Sequence, residues 1–274
     1  AAKIVDILKE DEMISSIGIA GPGFINFKLY KKIWIKLVKK ILEDGEKFGF
    51  RNIGENKKVN IEFVSANPTG PLHVGHTRGA IFGDVLANLL NNVGFVVTRE
   101  YYINDAGTQI DSLARSAHSR YQEALGKEYN ATENEYPGDY LKTVGQKLKE
   151  EFGEKLISIS DNNNLEKIKE YTVKIMIDEI KKDLSDLGVF MDSFVSESSL
   201  YKDGKVQEAI DHLTRLGLIY KGVLEKPKGS EDPDWVEREQ DLFKSTMFGD
   251  DIDRPIKKID GSWTYFAPDI AYHY

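Results

Sequence analysis

Apolar and polar positions alternate along this chain at two recurring periods. Ile4, Ile7 and Leu8 set a helix over residues 3–14. "GIAGPGFINFKL" (18–29) reads as a Gly/Pro turn leading into a strand, with Phe24, Asn26 and Lys28 on one face and Ile25, Phe27 and Leu29 on the other. Ile33, Leu37, Val38, Ile41 and Leu42 lie opposite lysines and predict an amphipathic helix over 30–48. "GFRNIGENKK" (49–58) is polar and glycine-spaced, which predicts a linker and a domain boundary. "VNIEFV" (59–64) reads as a strand compatible with a sheet buried on both faces. Residues 76–92 follow as a helix with Ala80, Ile81, Val85, Leu89 and Leu90 at helical spacing, and 94–103 as the next strand. Strand, helix, strand in about 45 residues is a βαβ unit and predicts a parallel sheet.

Residues 108–126 are expected to be helical. The polar stretch 127–164 reads as an insertion, partly helical around Tyr140–Phe152. A long amphipathic helix is predicted over 165–187 (Leu165, Ile168, Thr172, Ile175, Glu179, Leu184, Leu187), a strand over 189–198 and a helix over 204–216. From Tyr220 to Thr264, turns at "KGS", "GDD" and "DGS" predict a β-rich excursion. "TYFAPDIAYHY" is expected to be a strand running into a helix start. The chain opens inside a helix-like run without a methionine and stops in apolar sequence, so a fragment is expected.

Composition changes this picture only at points. The chain has 274 residues, a net charge of −8 and no cysteine. That excludes disulfides and thiolate metal sites, fits a cytoplasmic location, and argues against a generally nucleic-acid-binding surface. A local exception is 31–58, where nine Lys/Arg face four acids. Two readings of it stay open, a solvated helix face or contact with an RNA backbone. No apolar run reaches the roughly 18–20 residues of a membrane span, and no membrane or DNA partner is expected.

The candidate chemistry sits in "SANPTGPLHVGHTRGA" (65–80), which holds two of the five histidines, His73 and His76, with Gly75 between them. Without cysteine or an HExxH pattern, a structural metal is not expected, and no nucleophile elbow is present. The loop leaves the carboxyl end of a strand in a βαβ unit, where open α/β sheets bind ligands. His76 stands near a helix N-terminus, which favours anions. Gly75 lets a flat ring or phosphate approach the backbone. Two imidazoles there can donate to phosphoryl oxygens and stabilise displacement at phosphorus, so the spacing reads as a nucleotidyl-transfer site.

"HVGH" resembles the His-Ile-Gly-His signature of class I aminoacyl-tRNA synthetases. "NIEFVSANPTGPLHVGHTRGAIFGD" (60–84), "NDAGTQI" (104–110), "FGDDIDRPI" (248–256) and "DGSWTYFAPDIAYH" (260–273) together resemble the arginyl-tRNA synthetases. "IAGPGFINFKL" (19–29) is similar to the end of that family's N-terminal domain. The resemblance implies an α/β fold: a Rossmann-like, parallel-sheet class I catalytic domain over 57–274, incomplete, with an insertion at about 127–260. Part of a small α+β N-terminal domain that contacts tRNA would precede it over 1–50.

It further implies arginine activation by ATP with Mg²⁺, then transfer to tRNA(Arg), with tRNA bound before the first step. His73 and His76 would be catalytic, with Pro71 and Gly75 joining them around ATP. Glu62, Tyr265 and Asp269 would hold the arginine side chain, and Ser65 and Asn67 its α-amino end. Taken by themselves, Glu62 reads equally as a surface charge and Asp269 as a helix N-cap. A pocket with two buried acids rejects a neutral isostere by about 3–5 kcal/mol, so no editing domain is expected. Many members carry a lysine three residues before the first signature histidine; here that position is Gly70. That departure implies a lysine-bearing loop downstream, beyond these residues. Two rival readings remain: a small-molecule nucleotidylyltransferase with an HxGH site, and a fragment that binds arginine or ATP without turnover. Activity is expected of the parent protein and not of residues 1–274 alone.

Overall fold

The computed structural model describes residues 1–129, 135–159, 162–224 and 238–274. The chain divides into two compact units, residues 1–57 with 89–96, and residues 58–88 with 97–274.

In the first unit, α1 (Ala2–Leu8) is followed by an antiparallel hairpin of β1 (Ile14–Ala20) and β2 (Phe24–Leu29). The expected helix over 3–14 therefore stops early. Turns close from Leu8 to Asp11 and from Asp11 to Ile14 through backbone hydrogen bonds, and Ile14 then pairs with Leu29 in the hairpin. The turn runs through Gly21 at φ +56°. Helix α2 (Lys31–Asp44) buries no residue, and Trp34, Val38 and Leu42 stay exposed. The segment 51–57 is not a free linker. Arg51, Gly54 and Asn56 donate backbone N–H bonds to the carbonyls of Asn92, Val93 and Gly94 at 2.8–2.9 Å. Glycine is required on both sides of this seam: a Cβ on Gly54 would lie 2.5 Å from the Phe95 nitrogen, and Gly94 sits at φ +93° against Asn52.

The second unit is built on β3 (Lys58–Glu62), β4 (Val96–Ile103) and β5 (Ser193–Ser196), in the order β3-β4-β5, with β4 and β5 parallel. β3 is not buried on both faces: its burial alternates, with Val59 and Ile61 half-buried and Lys58, Asn60 and Glu62 exposed. α3 (Val74–Asn92) links β3 to β4. Its buried face is Ala80, Gly83 and Ala87, while Ile81, Phe82, Val85 and Leu89 are exposed. The close approach decides this: the Phe63 ring lies where a Gly83 Cβ would be, at 2.2 Å.

Phe63, Ala80, Tyr101 and Ile103 pack with Ile177, Ile180 and Leu184 of α6 (Asn162–Asp186). The other side of α6 joins α4 (Thr108–Ala124) and α5 (Tyr140–Phe152) around Leu113, Tyr121, Leu141, Leu148, Ile168 and Met176. The start of the expected insertion is thus part of a three-helix core.

After β5 the chain turns at once into α7 (Glu197–Lys202), so the strand expected to reach 198 ends two residues sooner, where Ser196 caps the helix by accepting the Ser199 N–H. α8 (Lys205–Arg215) packs with α9 (Phe266–His273) through Val206, Ala209, Ile210, Ala267 and Ala271. The antiparallel strands β6 (Ile219–Val223), β7 (Glu239–Phe243) and β8 (Arg254–Pro255) form the expected β-rich excursion. The predicted turn at 228–230 lies outside the described residues. "TYFAPDIAYHY" makes no strand: α9 starts at Phe266, which puts Asp269 inside the first turn and not at a strand end. No helix among the described residues is long and apolar enough to cross a membrane.

Candidate functional site

The loop after β3 begins under strain. Val64 and Ser65 have φ of +68° and +40°, a region that a β-branched residue enters only when neighbours enforce it. β4 does the enforcing. The Tyr101 hydroxyl donates to the Ala66 carbonyl at 2.8 Å, the Tyr102 N–H donates to Ser65 Oγ at 3.0 Å, and Asn104 Nδ2 donates to the Ser65 carbonyl at 3.3 Å. Ser65 Oγ in turn donates to Glu62.

At its far end the loop enters α3 through the two histidines. His73 stands just before the helix, and its Nδ1 accepts the Gly75 N–H at 3.1 Å. His76 reaches back, its Nδ1 accepting the His73 N–H at 3.3 Å. The pair is thus a reciprocal helix cap made of imidazoles. Their rings stack with centroids 3.7 Å apart and planes 20° from parallel. Because each Nδ1 accepts a backbone proton, each neutral ring carries its own proton on Nε2. Both Nε2–H groups are then donors not used by the cap. Burial and the neighbouring His73 both lower the pKa of His76, which keeps it neutral. Gly75 is needed for the stack, since a Cβ there would meet the His73 ring at 3.0 Å.

The carboxyl ends of β4 and β5 and the start of α9 converge on a second feature. Tyr102 is buried, and its hydroxyl has no hydrogen-bond partner among the described residues. Desolvation raises its pKa most, and the charges of Glu197, Asp269 and Asp105 with Tyr201 raise it further. Glu197 is raised by burial and then by Asp105 and Asp269, against a bond from Tyr201. Asp269 is raised by burial, offset by His273. Asp105 is itself held rigidly: it accepts from Ser196 Oγ at 2.6 Å and from the Ser198 N–H at 2.8 Å. Several mutually repelling carboxyls around an unsatisfied buried hydroxyl form a place that a multi-donor cation would relieve. Beside it opens a cavity of about 630 Å³ lined by Asn67, Gln109, Glu197, Tyr201, Trp263 and Tyr265, among others.

The structure distributes the expected residues among three places. His73, Gly75 and His76 form the cap, with Pro71 exposed in the loop before it. Asn67 and Tyr265 line the cavity, and Asn67 Nδ2 donates to Gln109 Oε1 at 2.8 Å. Asp269 stands one helical turn after Tyr265, facing Tyr102 and Glu197. Glu62 is bonded to Ser65 and electrostatically faces Tyr272; it is not among the residues lining the cavity. Among the described residues no group of three or more His, Asp or Glu could hold a metal ion.

Sequence reasoning passed over Glu197, Tyr201, Tyr102 and Gln109. A signal for Glu197 existed: it follows a parallel strand directly, the same position that marked the loop after β3.

The family model for the catalytic domain of class I tRNA synthetases (R) matches residues 37–273, and that for the arginyl-tRNA synthetase N-terminal domain matches residues 1–29. The arginine–tRNA ligase of Ruegeria sp. (strain TM1040) is 54% identical over 267 residues, covering 97% of this chain and 46% of that protein. That of Roseobacter denitrificans is 54% identical over 274 residues, covering 100% and 47%. This chain therefore spans just under half the length of the curated relatives it matches. A solved arginyl-tRNA synthetase structure from Campylobacter jejuni superposes with a TM-score of 0.73 at 32% identity, over 89% of this chain and 50% of that one. The Thermus thermophilus enzyme shares the fold at a TM-score of 0.62 and 20% identity, over 99% and 44%. With its catalytic-domain match running through both the imidazole cap and the acid cluster, the chain belongs to the arginyl-tRNA synthetase family of class I.

Proposed function

We propose that the protein carrying this chain joins L-arginine to ATP, giving arginyl-adenylate and pyrophosphate, and passes the arginyl group to the terminal ribose of tRNA(Arg). The observation that supports it most is the orphaned Tyr102 hydroxyl among Glu197, Asp269 and Asp105, close in the fold to the strand ends that carry the imidazole cap. A guanidinium never loses its charge and offers five donors in a plane, which suits a ring of repelling acids with one unused acceptor. Glu197, Asp269 and Tyr265 would take the side chain, and Ser65 and Asn67 the α-amino end. Glu62 would act from outside the cavity lining, through Ser65.

In the first step the arginine carboxylate attacks the α-phosphorus of ATP, a bond forms there, and pyrophosphate leaves. The Nε2–H groups of His73 and His76 would donate to phosphoryl oxygens as negative charge grows on them, next to the backbone N–H groups opening α3. Pro71 and Gly75 leave room for the nucleotide. Mg²⁺ would arrive as part of the ATP complex and neutralise the departing pyrophosphate. Residues 1–50, with the basic face of α2, would touch tRNA, and 57–274 would form the catalytic domain with its insertion. The protein would carry out this reaction in the cytoplasm.

The test is arginine-dependent exchange of labelled pyrophosphate into ATP with tRNA present, using the full-length protein and this chain in parallel. Exchange with arginine and none with citrulline supports the reading. Exchange without preference for arginine overturns it. Turnover by residues 1–274 alone would overturn the expectation that this portion binds without catalysing.

A further inference from the structure

The loop that carries the two histidines is held at both ends by its own sheet and helix. Its middle is held from elsewhere. The Tyr140 hydroxyl donates to the Thr69 carbonyl at 2.5 Å, across 71 residues of sequence. Asn67, two residues earlier, is bonded to Gln109. Gln109 is the second residue of α4 and Tyr140 the first of α5, so the same end of the three-helix core grips the loop twice. The body of Tyr140 packs against that core, alongside Leu141, Val144 and Leu148. Its ring is also fitted between two glycines. A Cβ on Gly138 would lie 2.2 Å from the ring, and a Cβ on Gly70 would touch it at 3.5 Å. Gly138 is therefore required by the ring, whereas a side chain at Gly70 would meet it at ordinary contact distance.

The pattern "TG" in the loop and "GDY" before α5 gave no reason to connect the two stretches. A surface tyrosine would leave its hydroxyl in water, whereas this one is half-buried and its pKa is pushed up to about 12, chiefly by burial. It is a satisfied donor at a backbone carbonyl of the loop that leads into His73.

We propose that Tyr140 is a positioning residue for the nucleotide loop, tying the start of α5 to Thr69 so that His73 and His76 are presented at a fixed distance from the sheet. The role rests on the ATP-using reading given above. It assigns to the start of α5, within the stretch that looks in sequence like an insertion, a part in setting ATP affinity. Losing one neutral hydrogen bond of this kind corresponds to about a two- to tenfold change in an equilibrium.

The experiment is Tyr140→Phe in the full-length protein, read two ways. Amide hydrogen exchange over residues 67–76 without ligand is expected to speed up about two- to tenfold, with α3, α4 and α6 protected as before. In pyrophosphate exchange, KM for ATP is expected to rise by a similar factor while KM for arginine and kcat stay within about twofold. Gly138→Ala displaces the ring while keeping the hydroxyl, and should give the same split. The double variant should add nothing to it, because both changes cut one tether. Unchanged exchange over 67–76 would overturn the proposal. So would equal rises in both KM values with a drop in Tm, which marks a general packing defect. A wild-type protein that exchanges no pyrophosphate would remove the ATP reading by itself, and the hydrogen-exchange arm would still decide whether Tyr140 holds the loop.

Discussion

Glu197 shows what one side chain does in this protein. Burial and two neighbouring carboxyls raise its pKa, so in the absence of ligand it is a source of strain. A carboxyl with a folded-state pKa above its unfolded value contributes stability below that unfolded value, near 4.5, and loses it as pH rises through the folded one. The contribution of Glu197 to the stability of the unliganded chain is therefore expected to fall on leaving acid pH. Glu197→Gln should flatten that fall and leave Tm equal or higher at pH 7, while weakening arginine binding about tenfold or more. A thermal-shift series over pH with and without arginine checks both; a lower Tm with intact arginine binding would refute the assignment. His76 and His118 have the opposite sign. Burial lowers both, so their neutral forms stabilise the fold above pH 6.5 and that contribution is lost as pH falls further. At this scale the sequence announced His73 and His76 through spacing, marked Glu197 only by its place directly after a parallel strand, and left Tyr102 unmarked, since nothing in "EYY" distinguishes a buried hydroxyl from one in water.

At the scale of elements, α3 has two functions at one end. Its imidazole cap satisfies the Gly75 N–H of the first turn and also supplies donors for chemistry, and substitution can separate the two. Asn is a good N-cap, so His73→Asn is expected to hold stability within about 0.5 kcal/mol. His73→Ala should cost about 1 kcal/mol. Both should lower pyrophosphate exchange by 10²-fold or more. Equal activity of His73→Asn and wild type would make the histidine a cap alone. Two glycines give a second contrast by chemical denaturation. Gly79 in α3 has open space around its Cβ position, and Gly79→Ala should stabilise by about 0.5–1 kcal/mol. Gly54→Ala drives a methyl into the Phe95 backbone and should destabilise by about 1–3 kcal/mol. The helical periods of α3, α4 and α6 were legible from their apolar spacing. Which face of α3 would be buried was not: Ala80, Gly83 and Ala87 are chosen by the reach of the Phe63 ring, whereas hydrophobicity pointed to Ile81 and Val85.

For the whole molecule, two exposed apolar stretches stand out, Trp34, Val38 and Leu42 on α2 and Ile81, Phe82 and Val85 on α3. Contiguous apolar surface of that kind drives association. The chain by itself is expected to self-associate at tens of micromolar, with Phe82→Ser reducing it; sedimentation velocity across a dilution series reads the outcome. A monodisperse monomer throughout would refute it.

The sequence by itself determined most of the element types, though not β1 or the chain entering α9, together with the βαβ order and the loop that holds the two histidines, because periodicity and Gly/Pro placement are local properties. It also carried the family through five quoted stretches. Tertiary structure alone decided that 51–57 is stitched to 92–94, that Asp269 lies within a helix, and that Tyr140 reaches Thr69. It alone brought Glu197, Asp269 and Asp105 around one buried hydroxyl. Each of these depends on residues tens to hundreds of positions apart, whose approach is fixed by packing of the sheet and the three-helix core and is not written in any short stretch of the chain.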